Sequence, residues 1–167
     1  MIEPIASAQQ ATADEFYKAF AVAVLTWQIV EDRLFRLLMS IHASQDLEQV
    51  GELYYGKRTR SFGRKLGAVD KVAVSVLQGA DLANWGALKD ELGSASQDRN
   101  SLAHSSIVPF FHTDDSFELV LAQPTFTPKG LRESRPMFDA AECRRITLRF
   151  HALAEKVGRF TETRFAP

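Results

Sequence analysis

The sequence predicts an all-α fold: a four- or five-helix up-and-down bundle with a small β-hairpin insert before the last helix. Apolar residues recur at alternating three- and four-residue steps over several long stretches, as on one face of a helix. The β-leaning runs are confined to residues 106–136. The chain has 167 residues, long enough to enclose one core and of common size for one domain. Residues 1–12 are read as a flexible N-terminal segment and 13–167 as a single helical domain.

The first helix is expected from Asp14 to Ile41. Phe16, Phe20, Ala23, Trp27, Val30, Leu34, Leu37 and Ile41 form its stripe, without a Gly or Pro to break it. Leu47, Val50, Leu53 and Tyr54 suggest a short second helix among the punctuating Gly51, Gly56 and Gly63. Phe62, Leu66, Val69, Ala73, Val76 and Leu77 trace a third, ended by Gly79. Asp81 is placed to cap a fourth, whose stripe runs Leu82, Trp85, Leu88 or Lys89, Leu92 and Ala95 and ends near Ser105. Two strands, IVPFF and FELVLA, are separated by HTDDS and followed by a Pro-rich loop. Ala141, Ile146, Phe150, Leu153, Val157 and Phe160 restore the helical period to the end.

Composition sets limits on function. A formal charge of −1 gives no overall attraction to polyanions, so RNA would have to be held by a local patch. The single cysteine, Cys143, has no partner for an intramolecular disulfide, and no Cys/His grouping suited to structural zinc accompanies it. MIEPIASAQQ lacks the basic and apolar regions of a signal peptide, and no run approaches the length of a membrane helix. A cytoplasmic protein without a membrane role is expected. No HExxH, GxGxxG or GxxxxGK[ST] string occurs, so no metal or nucleotide cofactor is expected. His42, His112 and His151 are too scattered for a metal site, and Cys143 is expected to be a buried, inert thiol.

The segment QDRNSLAHS, residues 97–105, carries the chemistry. Extending the stripe from Ala95 by one turn reaches Arg99, so a guanidinium falls on a face assigned to packing. A buried guanidinium needs an anion beside it. Glu31 borders the apolar stripe of the first helix, and an ion pair between Arg99 and Glu31 is expected. His104 lies five residues beyond Arg99, about 140° away around an ideal helix; Asn100, four before His104, shares its face. For Arg99 and His104 to meet at one phosphate, the last turn must loosen, the arginine must wrap round, or a second copy must supply a residue. Gly93, Ser94, Ala95 and Ser96 are small enough to admit a close crossing within the bundle or a symmetry mate.

Arg99-Asn100-Ser101-Leu102-Ala103-His104 resembles the signature of the HEPN superfamily, in which an arginine, a polar residue and a histidine close one helix of a four- or five-helix bundle. The layout agrees from about Ala13 to Phe160, with a long first helix bearing Glu31, the stretch SFGRKL, the Arg/His helix, a variable insert and a final amphipathic helix. The specific part is the short signature. The resemblance implies a metal-independent endoribonuclease of a toxin or defence type, or a non-catalytic relative binding a nucleotide, RNA or a partner protein. It also implies a homodimer with two motifs facing a shared cleft, and an antitoxin protein as a further partner. Arg99, Asn100 and His104 would be its catalytic residues and Glu31 a supporting one. Histidine exchanges protons near neutrality and arginine can hold a phosphate. The purely architectural alternative makes Arg99 a bundle ion pair and His104 a cation on the helix dipole.

A second feature is KRTRSFGRK, in which Lys57, Arg58, Arg60, Arg64 and Lys65 fall within nine residues. Such a cluster can contact RNA phosphates. Phe62 within it begins an apolar stripe and is expected in the core rather than on a base. Arg132, Arg135, Arg144, Arg145 and Arg149 are further basic residues that would widen a groove if they shared its surface.

Overall fold

Helix-forming sequence dominates the chain from its first residues. The computed structural model describes residues 3–43, 46–113, 116–122, 125–127, 130–132 and 136–165. Among them the helices are α1 Glu3–Ile41, α2 Leu47–Tyr55, α3 Phe62–Val76, α4 Gly79–His104 and α5 Ala140–Phe165, with a 3-10 turn at Lys57–Thr59. The chain is mostly helical, with a small antiparallel hairpin before the last helix, as expected.

Helix α1 begins at Glu3 rather than Asp14, so residues 3–12, expected as a flexible segment, form its first turns. Pro4 falls in the first turn, where its missing N–H is no loss, and the alanine- and glutamine-rich stretch after it has high helix propensity. Helix α2 is capped by Asp46, which accepts hydrogen bonds from the Glu48 and Gln49 N–H groups. Of its expected apolar face, Val50 and Tyr54 are buried while Leu47 and Leu53 are exposed. Gly56 follows because a Cβ there would stand 2.2 Å from the Glu52 carbonyl oxygen.

Helix α3 buries Phe62, Leu66, Val69 and Ala73, one line at helical spacing. It stops at Val76, with the Leu77 N–H bonded to the Ala73 carbonyl at 2.8 Å. Gly79, at φ +56°, takes the left-handed backbone that glycine adopts without a Cβ penalty, and it opens α4 rather than ending α3. Asp81 accordingly lies in the first turn of α4 instead of capping it, where a carboxylate still complements the helix dipole. Helix α5 is started by Asp139, whose carboxylate accepts the Glu142 N–H at 2.7 Å.

The chain groups into two compact units, each built from two separate stretches. The first comprises Met1–Thr26 and Asp98–Leu148. Its core holds Phe16, Ala19 and Ala23 from α1, Leu102 from α4, and Cys143 and Ile146 from α5. Strands β1 Ser106–Phe111 and β2 Phe117–Ala122 pair antiparallel from Ser106 opposite Ala122 to Phe111 opposite Phe117. Strand β2 buries Val120, Leu121 and Ala122.

The hairpin does not stand alone. The segment expected as a Pro-rich loop contributes β3 Thr125–Thr127, β4 Gly130–Arg132 and β5 Pro136–Phe138; β5 completes a sheet in the order β1-β2-β5, and β3 pairs with β4. A two-stranded hairpin is marginal by itself, and a third strand on β2 satisfies its other edge. Pro109 is accommodated because β1 is an edge strand.

The second unit comprises Trp27–Gln97 and Arg149–Pro167. Trp27 is its centre, with Phe62 at 4.6 Å and Phe150 at 4.8 Å between ring centroids, both edge to face. Such contacts add about 0.5–1.5 kcal/mol to the burial of the rings. Val30, Leu34, Leu37, Leu92 and Val157 fill the space around them and are fully buried.

Candidate functional site

Arg99, Asn100 and His104 occupy the last two turns of α4, in the first unit. The buried line of this segment passes through Ala95 and Leu102, seven residues and about two turns apart. Arg99 stands about 40° to one side of Ala95, and His104 about 180° from it. Their exposure follows: Arg99 is half-buried, while Asn100 and His104 are exposed. Extending the apolar stripe from Ala95 to Arg99 placed the guanidinium too deep, because Leu102 is the residue that turns inward.

Arg99 donates from Nη1 to Asn100 Oδ1 at 3.2 Å. Neither Arg99 nor His104 forms an ion pair among the described residues. His104 is the last residue of α4. The Ser105 N–H bonds to the Ser101 carbonyl at 3.0 Å, so the α pattern runs unbroken to the end of the motif. Asn100 and His104 therefore share a face; the Arg99 and His104 positions lie about 140° apart around the helix, and the Arg99 guanidinium reaches round to Asn100. The loosened last turn that would join them within one chain does not occur. The Ser105 hydroxyl is buried without a hydrogen-bond partner among the described residues.

The acid expected to pair with Arg99 is engaged elsewhere. Glu31 is buried at 8% exposure. One carboxylate oxygen accepts from Trp27 Nε1 at 2.8 Å, and the other takes the Lys65 ammonium in a short contact. Lys65 lies three residues after Phe62 and four before Val69 on the apolar side of α3, so its stem runs along the core and its charge meets Glu31. Lys65 thus leaves the surface cluster to which it was assigned. Its ammonium also sits 5.2 and 5.1 Å from the ring centroids of Tyr54 and Tyr55, within cation–π range. The Tyr54 hydroxyl donates to the Glu31 carbonyl at 2.9 Å. Burial first, and the Glu31 charge second, hold this phenol well above the ordinary tyrosine range.

Lys57, Arg58, Arg60 and Arg64 remain exposed, and none is ion-paired among the described residues. Phe62 is buried, as expected. Three of the other basic residues are engaged by neighbouring side chains. Arg144 pairs with Glu15 at 2.7 Å, and Arg145 takes both oxygens of Glu142 at 2.8 and 2.6 Å. That bidentate bond lowers the Glu142 carboxyl below the usual range and raises the guanidinium. Arg149 donates to Ser94 Oγ at 2.9 Å. Arg132 falls in β4, and Arg135 lies outside the described residues.

Cys143 is buried, and burial pushes its thiol up to about 11, which makes it a poor nucleophile. His112 and His151 stand beside Glu118 and Glu155 on the surface. No group of metal-binding side chains occurs among the described residues. No described helix is long and apolar enough to cross a membrane. The small stretch Gly93 to Ser96 is not a tight crossing at its glycine, since a Cβ on Gly93 would meet nothing within 4 Å. An apolar groove of about 470 Å³ lies between α1 and α5 of the first unit, lined by Ala19, Val22 and Leu148 with Glu15, Lys18 and Arg144 at its rim.

Compared with protein-family models, curated proteins and solved structures, the chain finds no match.

Sequence reasoning missed Tyr55. It is 57% exposed beside the basic turn, one position and about 100° round the helix from the buried Tyr54. That spacing was the available signal.

Proposed function

We propose that the chain is a HEPN-like protein acting on RNA, with Arg99, Asn100 and His104 as its central residues and metal-independent endonucleolytic cleavage as its chemistry. One observation supports this above the others: the half-buried Arg99 is held by a neutral amide, Asn100 Oδ1 at 3.2 Å, and by no carboxylate among the described residues. An arginine so placed can take a phosphate without first breaking an ion pair.

In the proposed reaction His104 withdraws the ribose 2′-hydroxyl proton, and the 2′-oxygen attacks the adjacent phosphorus. Arg99 stabilises charge on the non-bridging oxygens. The bond to the 5′-oxygen breaks, and that oxygen leaves with a proton from a second imidazole or from water. The products are a 2′,3′-cyclic phosphate, which water opens to a 3′-phosphate, and a 5′-hydroxyl end. Because Arg99 and His104 diverge by about 140° at their positions on an unbroken helix, Arg99 of one copy would work with His104 of a second in a homodimer. A toxin or defence role, with an antitoxin protein as partner, belongs to the same proposal.

The same divergence favours a second reading, a non-catalytic module in which Arg99 and Asn100 bind RNA, a nucleotide or a partner protein. Incubation with a mixed RNA pool in EDTA separates the two. Cleavage by wild type that is lost in Arg99→Ala and His104→Ala supports the nuclease. Retained RNA binding without turnover supports the module, and neither binding nor cleavage sinks both.

A further inference from the structure

Four exposed cations in a chain of net charge −1 make a local patch. Lys57 and Arg58 lie on the 3-10 turn, Arg60 ends it, and Arg64 is in the first turn of α3. The patch is ordered by its own backbone: the Gly56 N–H bonds to the Glu52 carbonyl and the Thr59 N–H to the Gly56 carbonyl, both at 2.9 Å. Arg64 Nη1 reaches back to the Arg58 carbonyl at 3.3 Å, which brings its two ends together.

Tyr55 stands immediately before this turn. Its ring is fixed edge-on to Tyr54 at 4.8 Å and tilted against Phe35 at 5.1 Å. The Lys65 ammonium, 5.1 Å from the same ring, ties it to the start of α3 beside Arg64. Even so, 57% of Tyr55 is exposed. Of the nearby acids, Asp32 is bridged to Arg36 at 2.8 Å and Glu31 is taken by Lys65, while the Glu52 carboxylate lies over Gly56 at the start of the turn, one anion against four cations.

We infer that Tyr55, with Lys57, Arg58, Arg60 and Arg64, forms a binding surface for a single-stranded stretch of RNA, Tyr55 giving a base its stacking face and the four cations following the phosphates. This rests on the proposal that the chain acts on RNA, and it assigns that RNA a second contact apart from Arg99 and His104. The cations alone would suit any polyanion. A pre-set, half-open aromatic ring among them selects a strand with unpaired bases, because the bases of a duplex are already stacked on one another. A ring already immobilised also loses little entropy on binding.

The test is fluorescence anisotropy with a labelled oligouridine strand of about 12 nucleotides, its duplex with oligoadenosine, and phosphatidylserine-containing vesicles as competitors, over a range of salt. Wild type is expected to prefer the single strand. Each cation replaced by alanine should flatten the dependence of log affinity on log salt by about 0.7. Tyr55→Ala should weaken binding about 5- to 150-fold with the salt dependence unchanged, whereas Tyr55→Phe stays within roughly twofold. Tyr55→Leu, which keeps an apolar contact with Phe35, should lose as much as the alanine variant and guards against misfolding of the latter. Wild-type affinity in Tyr55→Leu, or a preference for duplex or vesicles, overturns the assignment. If RNA is still cleaved or bound through Arg99 and His104 in that case, the proposed function stands without this surface; a wild type that neither binds nor cleaves RNA removes both.

Discussion

Lys65 on α3 places its ammonium on the carboxylate of Glu31 on α1, and the two side chains are only 13% and 10% exposed. A pair so enclosed is costly to break from one side. Glu31→Ala leaves Lys65 uncompensated and the Trp27 N–H without its acceptor, and should destabilise the protein by about 3–5 kcal/mol in urea unfolding. The double variant Glu31→Met, Lys65→Met should recover most of that loss, since a well-packed apolar pair can match a buried ion pair. A single variant as stable as wild type would show that the pair contributes nothing.

The Tyr54 hydroxyl makes stability sensitive to alkali. Its folded pKa lies above its ordinary value of 10.0, so the neutral phenol is favoured by folding. That contribution is complete below about pH 10 and is lost as pH rises beyond it, at up to about 1.4 kcal/mol per pH unit. Cys143 behaves likewise between 9.0 and about 11, so the comparison belongs in a Cys143→Ala background. There Tm should fall above pH 10 in the parent and less steeply in Tyr54→Phe. Parallel curves would count against a buried phenol.

Arg99 also discriminates between function and architecture by stability. With a neutral partner and no buried ion pair to lose, Arg99→Ala should cost no more than about 1 kcal/mol. His104→Ala, at an exposed helix end, should stay within about 0.5 kcal/mol of wild type. A loss of several kcal/mol in Arg99→Ala, measured by urea unfolding, would return the residue to the architectural role weighed at the outset.

If cleavage uses Arg99 of one copy and His104 of another, two inactive variants should complement. In an exchanged equal mixture of Arg99→Ala and His104→Ala, half the dimers are mixed, and each mixed dimer keeps one intact site of two. About a quarter of wild-type cleavage is then expected. No recovery after demonstrated subunit exchange would confine the chemistry to one chain.

How far the sequence reveals this molecule depends on which interactions are local. The stripes of α1, α3 and α5 were legible because burial repeats at the helical period; Trp27, Leu34, Phe62, Val69, Phe150 and Val157 are all buried as expected. The end of α4 at His104 and the hairpin of β1 and β2 were legible from Ser105, Pro109 and the change of period. The start of α1 was not, because residues 3–12 follow propensity without the strong apolar stripe that marks the rest. Glu31 was recognised as a buried acid, but its partner was not. Arg99 and Lys65 both border apolar stripes, and choosing between them requires knowing that Leu102 takes the inward place next to Arg99. Strands β3 to β5 are three residues each, too short to show alternation. The chemistry of Arg99 and His104 rests on a short motif, and their divergence follows from five residues of unbroken helix.

Asp70 offers a last test, of how the second unit fixes its other tryptophan. One carboxylate oxygen of Asp70 on α3 accepts from Trp85 Nε1 on α4 at 2.8 Å, and the other meets Lys89 at 3.1 Å. Trp85 is 1% exposed, so removing Asp70 takes away the acceptor that its buried indole N–H uses. Asp70→Ala should therefore cost about 1–3 kcal/mol, the penalty of an unsatisfied buried donor. Asp70→Asn keeps an acceptor for the indole and gives up the ion pair with Lys89. With 36% and 27% of those side chains open to solvent, screening holds that second loss to about 1 kcal/mol or less. Urea unfolding of the two variants separates the contributions, and an asparagine variant as unstable as the alanine one would assign the stabilisation to charge rather than to the indole bond.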